Sequence, residues 1–133
     1  MEPRLDADEG RARINETTHA IIGAAHKVGN DLGCGFLEKV YENALSHVLR
    51  KTGFAVEQQS AIEVWYDGVV VGLYVADMVV DDSVLVELKV STAVDEIHLA
   101  QCLNYLKATG MTVCLLLNFG LPKVDVKRIV NSL

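Results

Sequence analysis

Asp77, Glu87 and Lys89 place two carboxylates and an ammonium inside the most apolar stretch of the chain, VVVGLYVADMVVDDSVLVELKV. Side chains two apart share a face of a β-strand, so Leu85, Glu87 and Lys89 point one way and Val84, Val86 and Leu88 the other. The same count puts Asp77 with Val71, Leu73, Val75 and Val79. A hairpin through a three-residue loop, Asp81-Asp82-Ser83, pairs Val80 with Val84 and sets Asp77 opposite Glu87. Two carboxylates about 4 Å apart repel by roughly 4 kcal/mol at an effective dielectric near 20. Lys89 offsets part of that cost, and a divalent cation between the acids would offset more. A two-residue loop at Asp81-Asp82 would instead send the two acids to opposite faces.

The elements that must carry these residues follow from periodicity. Ile21, Ala25, Val28 and Leu32 recur at helical spacing from about Ile14, and Gly33-Cys34-Gly35 stops the helix. A second helix is expected over about 36–51, with Leu37, Val40, Ala44 and Val48 as its apolar stripe. The period then changes to two. Residues 61–66 lead into the Asp67-Gly68 turn signal, then 69–80 and 83–90, a three-stranded meander whose first strand 54–59 extends. A third helix is expected over 95–108, with Leu99, Cys102, Leu103 and Leu106 buried. Residues 111–119 form a continuous apolar strand, the type found where both faces are covered. After Pro122, residues 124–130 alternate as an edge strand. The order ααβββαβ, with a last β, predicts an α/β fold: a mixed central sheet flanked by helices.

A chain of 133 residues, half of them apolar, suits one domain over 14–133, with the charged residues 1–13 as a mobile tail. A net charge of -6 does not favour general attraction to nucleic acid or an anionic membrane. Cys34, Cys102 and Cys114 form no CxxC pair and are odd in number, which argues against a disulfide framework or structural zinc and for a reducing cytoplasm. The N-terminal residues lack an apolar signal region, and no apolar run reaches a membrane span. The four histidines form no ligand set, and neither a glycine-rich phosphate loop nor a G-x-S-x-G elbow occurs.

A hairpin bearing Asp and then Glu-x-Lys, followed by a helix and another strand, resembles the PD-(D/E)xK nuclease superfamily. The residues Gly35-Phe-Leu-Glu38-Lys-Val-Tyr41, Glu87-Leu-Lys89, Ala100-Gln101-Cys-Leu-Asn104-Tyr105-Leu106 and Leu116-Leu-Asn118-Phe119-Gly120 together look like the GxxExxY proteins, a small bacterial and archaeal family of that superfamily. The resemblance runs from about Ile14 to Val130. Cys34 stands where that family often has proline, and Gly29 where many members have histidine.

The resemblance implies a restriction-endonuclease-like ααβββαβ core and metal-dependent cleavage of a phosphodiester, with DNA as the expected substrate. Asp77 and Glu87 would hold Mg²⁺ or Mn²⁺ with the Leu88 carbonyl, since a hard cation prefers oxygen ligands. Lys89 would orient or help deprotonate the attacking water. Glu38 matches a helix carboxylate that joins the metal shell, and Gln101 a polar residue that positions water or the phosphate. A homodimer would suit cutting both strands of a duplex.

Each residue also has a plainer use. Glu38 is favoured at a helix N-terminus by the macrodipole alone. Asp77 suits the approach to a turn, Glu87 and Lys89 suit a solvated charge pair, and Gln101 and Asn104 suit the wet side of a helix. Tyr41, Tyr105 and Trp65 read as core or rim. The competing function is therefore a catalytically silent nuclease-fold module that binds a partner or itself. Lys39, Lys107, Lys123, Lys127 and Arg128 are the cations available to meet a phosphate backbone.

Overall fold

The protein, described here from a computed structural model, is placed over residues 7–93 and 96–131. Helix α1 spans Ala7–Leu32 and α2 spans Glu38–Lys51. Strands β1 (Val56–Tyr66), β2 (Val69–Val80) and β3 (Val84–Lys89) follow, then α3 (Glu96–Thr109), β4 (Val113–Asn118) and β5 (Asp125–Val130). The five strands form one sheet in the order β1-β2-β3-β4-β5. All neighbours are antiparallel except β3 and β4, which α3 joins as a parallel crossover. This is the mixed α/β architecture expected. No helix of the described residues is long and apolar enough to cross a membrane.

The sheet separates two apolar clusters. Met78, Val80, Val84, Val86, Leu88, Leu115 and Leu117 meet Ile21, Ala25 and Val28 of α1 and Tyr41, Leu45 and Leu49 of α2. Leu85, Cys114 and Leu116 meet Cys102 and Leu106 of α3 on the other side. The alternation of β3 is thus as its sequence indicates. β4 is buried at every position because both of its faces are covered.

Three expectations need correction. The segment read as a tail to residue 13 is helical from Ala7, where alanine, glutamate and arginine are good helix formers that extend α1 without burial. The buried stripe of α2 is Tyr41, Glu42, Leu45, Ser46 and Leu49, so it is rotated by about one residue, leaving Leu37 and Val40 exposed and Ala44 and Val48 at its margin. The expected start of α3 at Asp95 lies outside the described residues.

The third correction concerns β2. Ala76 and Val79 both pack with the α3 cluster, although they are three positions apart, an odd step that regular alternation would send to opposite faces. The alternation is interrupted between them. Gln58 pairs with Met78 and Ser60 with Ala76, but Gln59 and Asp77 stand outside the ladder, and Gln59 has φ 53°. Asp77 therefore does not share one continuous face with Val71, Leu73, Val75 and Val79. A second irregularity at Val64/Trp65 leaves Val71 as an extra residue in β2.

Candidate active site

The loop between β2 and β3 has three residues, with Val80 opposite Val84, Val79 opposite Leu85 and Met78 opposite Val86. Asp81 and Asp82 take φ 51° and 50°, and the Ser83 N–H donates to the Val80 carbonyl at 3.1 Å. This register brings Asp77 and Glu87 together. Beyond Met78 and Val86, side chains take over from backbone pairing. The Leu88 N–H donates to Asp77 Oδ2 at 2.8 Å, and the Asp77 N–H donates to Glu87 Oε1 at 3.4 Å. The strands part at this point with their two acids in the gap.

Glu87 is only 7% exposed. Burial, and then the charge of Asp77 beside it, push its carboxyl up to about 9. A buried carboxylate next to a second one keeps its proton, because neither solvent nor a cation stabilises the second charge. Glu38, at the first position of α2, is also raised, by burial and then by the Asp77 charge, while Lys89 opposes that shift. Glu38, Asp77 and Lys89 thus feel one another's charge across the end of the sheet.

Gln101 is placed differently. It is exposed on α3, like Asn104 and Ile97, and its side chain makes no hydrogen bond among the described residues. Its neighbour Cys102 faces inward beside Glu87 and feels the charges of Lys89 and Asp77. Cys102 and Cys114 are buried free thiols, and their mutual hydrogen bond lowers the first and raises the second. Of the cations proposed to meet a phosphate backbone, Lys39 is engaged with Glu42 at 3.0 Å and Lys127 lies 3.9 Å from Asp125. Lys107 and Arg128 line, with Arg11, a cavity of about 670 Å³. That cavity borders Val113 and Val130, at the opposite end of the strands from Lys89.

Residues that sequence reasoning left in supporting roles hold the site in place. Tyr41 is fully buried, stacks on Phe119 at 4.7 Å, donates its phenol hydrogen to the Gly33 carbonyl and accepts the Phe36 N–H at 3.3 Å. It ties down the loop that ends at Glu38. Gly35 takes φ 110° in that loop, a conformation closed to most side chains. The spacing Gly35, Glu38, Tyr41 thus reads as a turn, a carboxylate delivered to the site, and an anchor.

Glu42 is 2% exposed and accepts from Gln58 Nε2 at 2.6 Å, Gln59 Nε2 at 2.7 Å and Lys39 Nζ at 3.0 Å. It holds the kinked segment of β1 that faces Asp77. Its signal in the sequence is a carboxylate on the stripe of Leu45 and Leu49. Asn118, 1% exposed, accepts the Ser91 and Gly120 N–H groups at 3.1 and 2.9 Å and donates to the Ser91 carbonyl at 2.9 Å. The Phe119 N–H donates to the Lys89 carbonyl at 2.8 Å. The end of β4 therefore fixes the backbone on which Lys89 sits. Tyr105 borders the acids as well: burial and then the Glu87 charge push its phenol up to about 12, and its ring meets Tyr74 edge-on at 5.0 Å.

A sequence model described as the PD-(D/E)XK nuclease superfamily matches residues 15–129. The chain belongs to the PD-(D/E)XK nuclease superfamily. Its fold is shared with an alkaline exonuclease, LHK-Exo, from Laribacter hongkongensis, at a TM-score of 0.52 and 18% sequence identity. The similarity covers 71% of this chain and 56% of that one, so this PD-(D/E)XK protein matches little more than half the length of the exonuclease. No curated protein matches the sequence.

PD-(D/E)XK nucleases generally use divalent metal ions. The chemistry of the donor set in this member suits such an ion: Asp77 and Glu87 are oxygen donors in contact, and the proton that Glu87 retains marks the place where a second positive charge is wanted. Among the described residues, no three His, Cys, Asp or Glu side chains close into a cluster that could hold a metal. Glu38 shares the electrostatics of the pair without completing a three-ligand cage.

Proposed function

We propose that this PD-(D/E)XK protein is a metal-dependent nuclease that hydrolyses DNA phosphodiester bonds at Asp77, Glu87 and Lys89, and that within the superfamily it is a GxxExxY protein. One observation carries the reading. Two carboxylates meet where β2 and β3 part, one of them raised to about 9, with a lysine two residues further along β3. An arrangement that costs folding energy without a cation is expected where a cation is used.

In this reading Asp77 and Glu87 hold Mg²⁺ or Mn²⁺ together with the Leu88 carbonyl, and Glu38 approaches from α2. The ion supplies charge stabilisation for a phosphoryl group under attack. Lys89 orients the attacking water and limits its pKa by proximity of the ammonium. Gln101, exposed beside the buried Cys102, meets the substrate phosphate from the solvent side. Asn118 and Gly120 keep Lys89 in register, and Tyr41 keeps Glu38 there.

A second reading, a silent nuclease-fold module that binds a partner or itself, is favoured by the open position of Glu38 and the isolation of Gln101. Incubation with plasmid, linear and single-stranded DNA, each with Mg²⁺, Mn²⁺ or EDTA, separates the two. Metal-dependent cleavage lost in Asp77→Ala and Lys89→Ala supports the enzyme. Cleavage that survives both substitutions sinks this site, and a metal-induced rise in melting temperature without cleavage supports the module.

A further inference from the structure

The end of the sheet opposite the paired acids gathers charge of the other sign. Arg11 on α1, Lys107 in the last turn of α3 and Arg128 on β5 all line one cavity of about 670 Å³. The chain carries 18 acidic residues against 12 basic ones, yet among the described residues no acidic one lines this space. The cations are also unpaired. Neither Arg11 nor Lys107 has a hydrogen-bond or ion-pair partner among the described residues. Arg128 donates one N–H to Asn15 Oδ1 at 3.1 Å, and its planar guanidinium has further donors to give. Between the three, the walls are apolar: Ile14, Met111, Val113 and Val130 complete the lining. The volume lies within the roughly 300–1,000 Å³ of small-molecule sites.

We infer that this cavity binds a small phosphate monoester with an apolar or aromatic body, of the size of a nucleoside monophosphate. Charge selects the head group. Cations grouped around one space repel one another, and a dianionic monoester relieves that repulsion more than the single charge of a phosphodiester does. The two guanidinium groups match phosphate oxygens in pairs, and the lysine adds a point charge. The apolar walls select the body, because inorganic phosphate alone would leave them in contact with water. The site is separate from the paired acids. Val113 pairs with Val130 where β4 begins, five positions before Asn118, which pairs with Lys89. At about 3.3 Å per residue the two ends lie on the order of 17 Å apart, too far for one mononucleotide to touch both. The inference therefore does not depend on hydrolysis at Asp77 and Glu87.

Calorimetric titration of the full chain with AMP, GMP, CMP and UMP, and with adenosine and inorganic phosphate, tests the site without added metal. The best of the monophosphates should bind with a Kd on the order of 100 μM or tighter, and adenosine and inorganic phosphate at least about tenfold more weakly. Arg128→Ala and Lys107→Glu should each weaken that monophosphate at least about tenfold, with the far-ultraviolet circular dichroism unchanged. Lys127→Glu makes the same change of charge on β5 outside the cavity and should leave binding as it was, and so should Asp77→Ala. Absence of binding by every monophosphate overturns the inference, as does inorganic phosphate that binds as tightly, or affinity that survives both Arg128→Ala and Lys107→Glu. Affinity that falls equally in Lys127→Glu would reduce the effect to net charge and overturn it. Affinity lost in Asp77→Ala would move the ligand to the paired acids, and displacement by a short single strand without a terminal phosphate would reassign the cavity to a nucleic-acid backbone; either overturns it too.

Discussion

Asp77 and Glu87 each cap the other's strand: Oδ2 of Asp77 accepts the N–H that follows Glu87, and Oε1 of Glu87 accepts the N–H of Asp77 itself. The pair replaces the backbone ladder at the point where it ends. It also binds a proton in the native state that the unfolded chain releases, because the Glu87 carboxyl is raised from 4.5 to about 9. The native state binds more protons over that interval, so stability falls as pH rises through it. The contribution is complete below about 4.5 and lost above about 9. Glu87→Gln, which cannot ionise, should match the parent near the acid end. In EDTA near the upper end it should be more stable by at least about 1.4 kcal/mol, the equivalent of one pKa unit. Urea midpoints across pH measure the difference, and a gap that does not change with pH would refute it.

An ion that binds between Asp77 and Glu87 must displace that proton. Its apparent affinity should therefore increase about tenfold per pH unit until the carboxyl ionises unaided. The measurement is the rise in melting temperature with Mn²⁺ at several pH values below about 9. Glu87→Gln should remove the shift and its pH dependence together. A shift of constant size would mean that the ion sits elsewhere.

Tyr41 and Glu42 are neighbours with separate duties, and both can be tested without touching a proposed ligand. Tyr41→Phe keeps the stacking on Phe119 and removes the bonds to Gly33 and Phe36. About 1–2 kcal/mol of stability should be lost, along with a larger fraction of any cleavage activity than of substrate binding, because Glu38 loses its fixed loop. Glu42→Ala deprives Gln58 and Gln59 of their shared acceptor and should cost about 2–3 kcal/mol, with Glu42→Gln milder. Chemical denaturation and cleavage rates, compared variant by variant, separate the two effects.

The hairpin register was legible because hydrophobic alternation and a three-residue polar loop fix parity, and the Asp77–Glu87 encounter follows from parity alone. The break at Gln59–Asp77 was not. It is produced by Glu42, seventeen residues before Gln59, whose carboxylate holds the Gln59 amide, and alternation within a strand carries no trace of such a contact. Helix α2 shows the same contrast. Glu38 could be placed from its motif and Tyr41 read as core or rim, whereas the rest of the buried stripe could not, because Glu42 and Ser46 lie inside it while the apolar Leu37 and Val40 stay exposed. The supporting role of Asn118 was equally hidden: a buried asparagine at the end of an apolar strand signals a backbone clamp, but not which backbone it clamps.

Gly120 tests that clamp most directly. A Cβ built there would lie 2.3 Å from both the nitrogen and the carbonyl oxygen of Ser91, contacts with rigid backbone that no rotamer change relieves. Ser91 is held by Asn118 on both its N–H and its carbonyl, and the Lys89 carbonyl is bound to Phe119, so the strain of Gly120→Ala must pass into the turn that carries Lys89. Overpacking of this kind costs about 1–3 kcal/mol. Cleavage should fall well beyond what the lost stability explains, since the end of β3 that carries Lys89 moves while Asp77 and Glu87 stay tied to each other's strands. The Mn²⁺-induced thermal shift should survive in the same variant. If metal binding and cleavage decline together, Gly120 supports the whole end of the sheet rather than Lys89 alone.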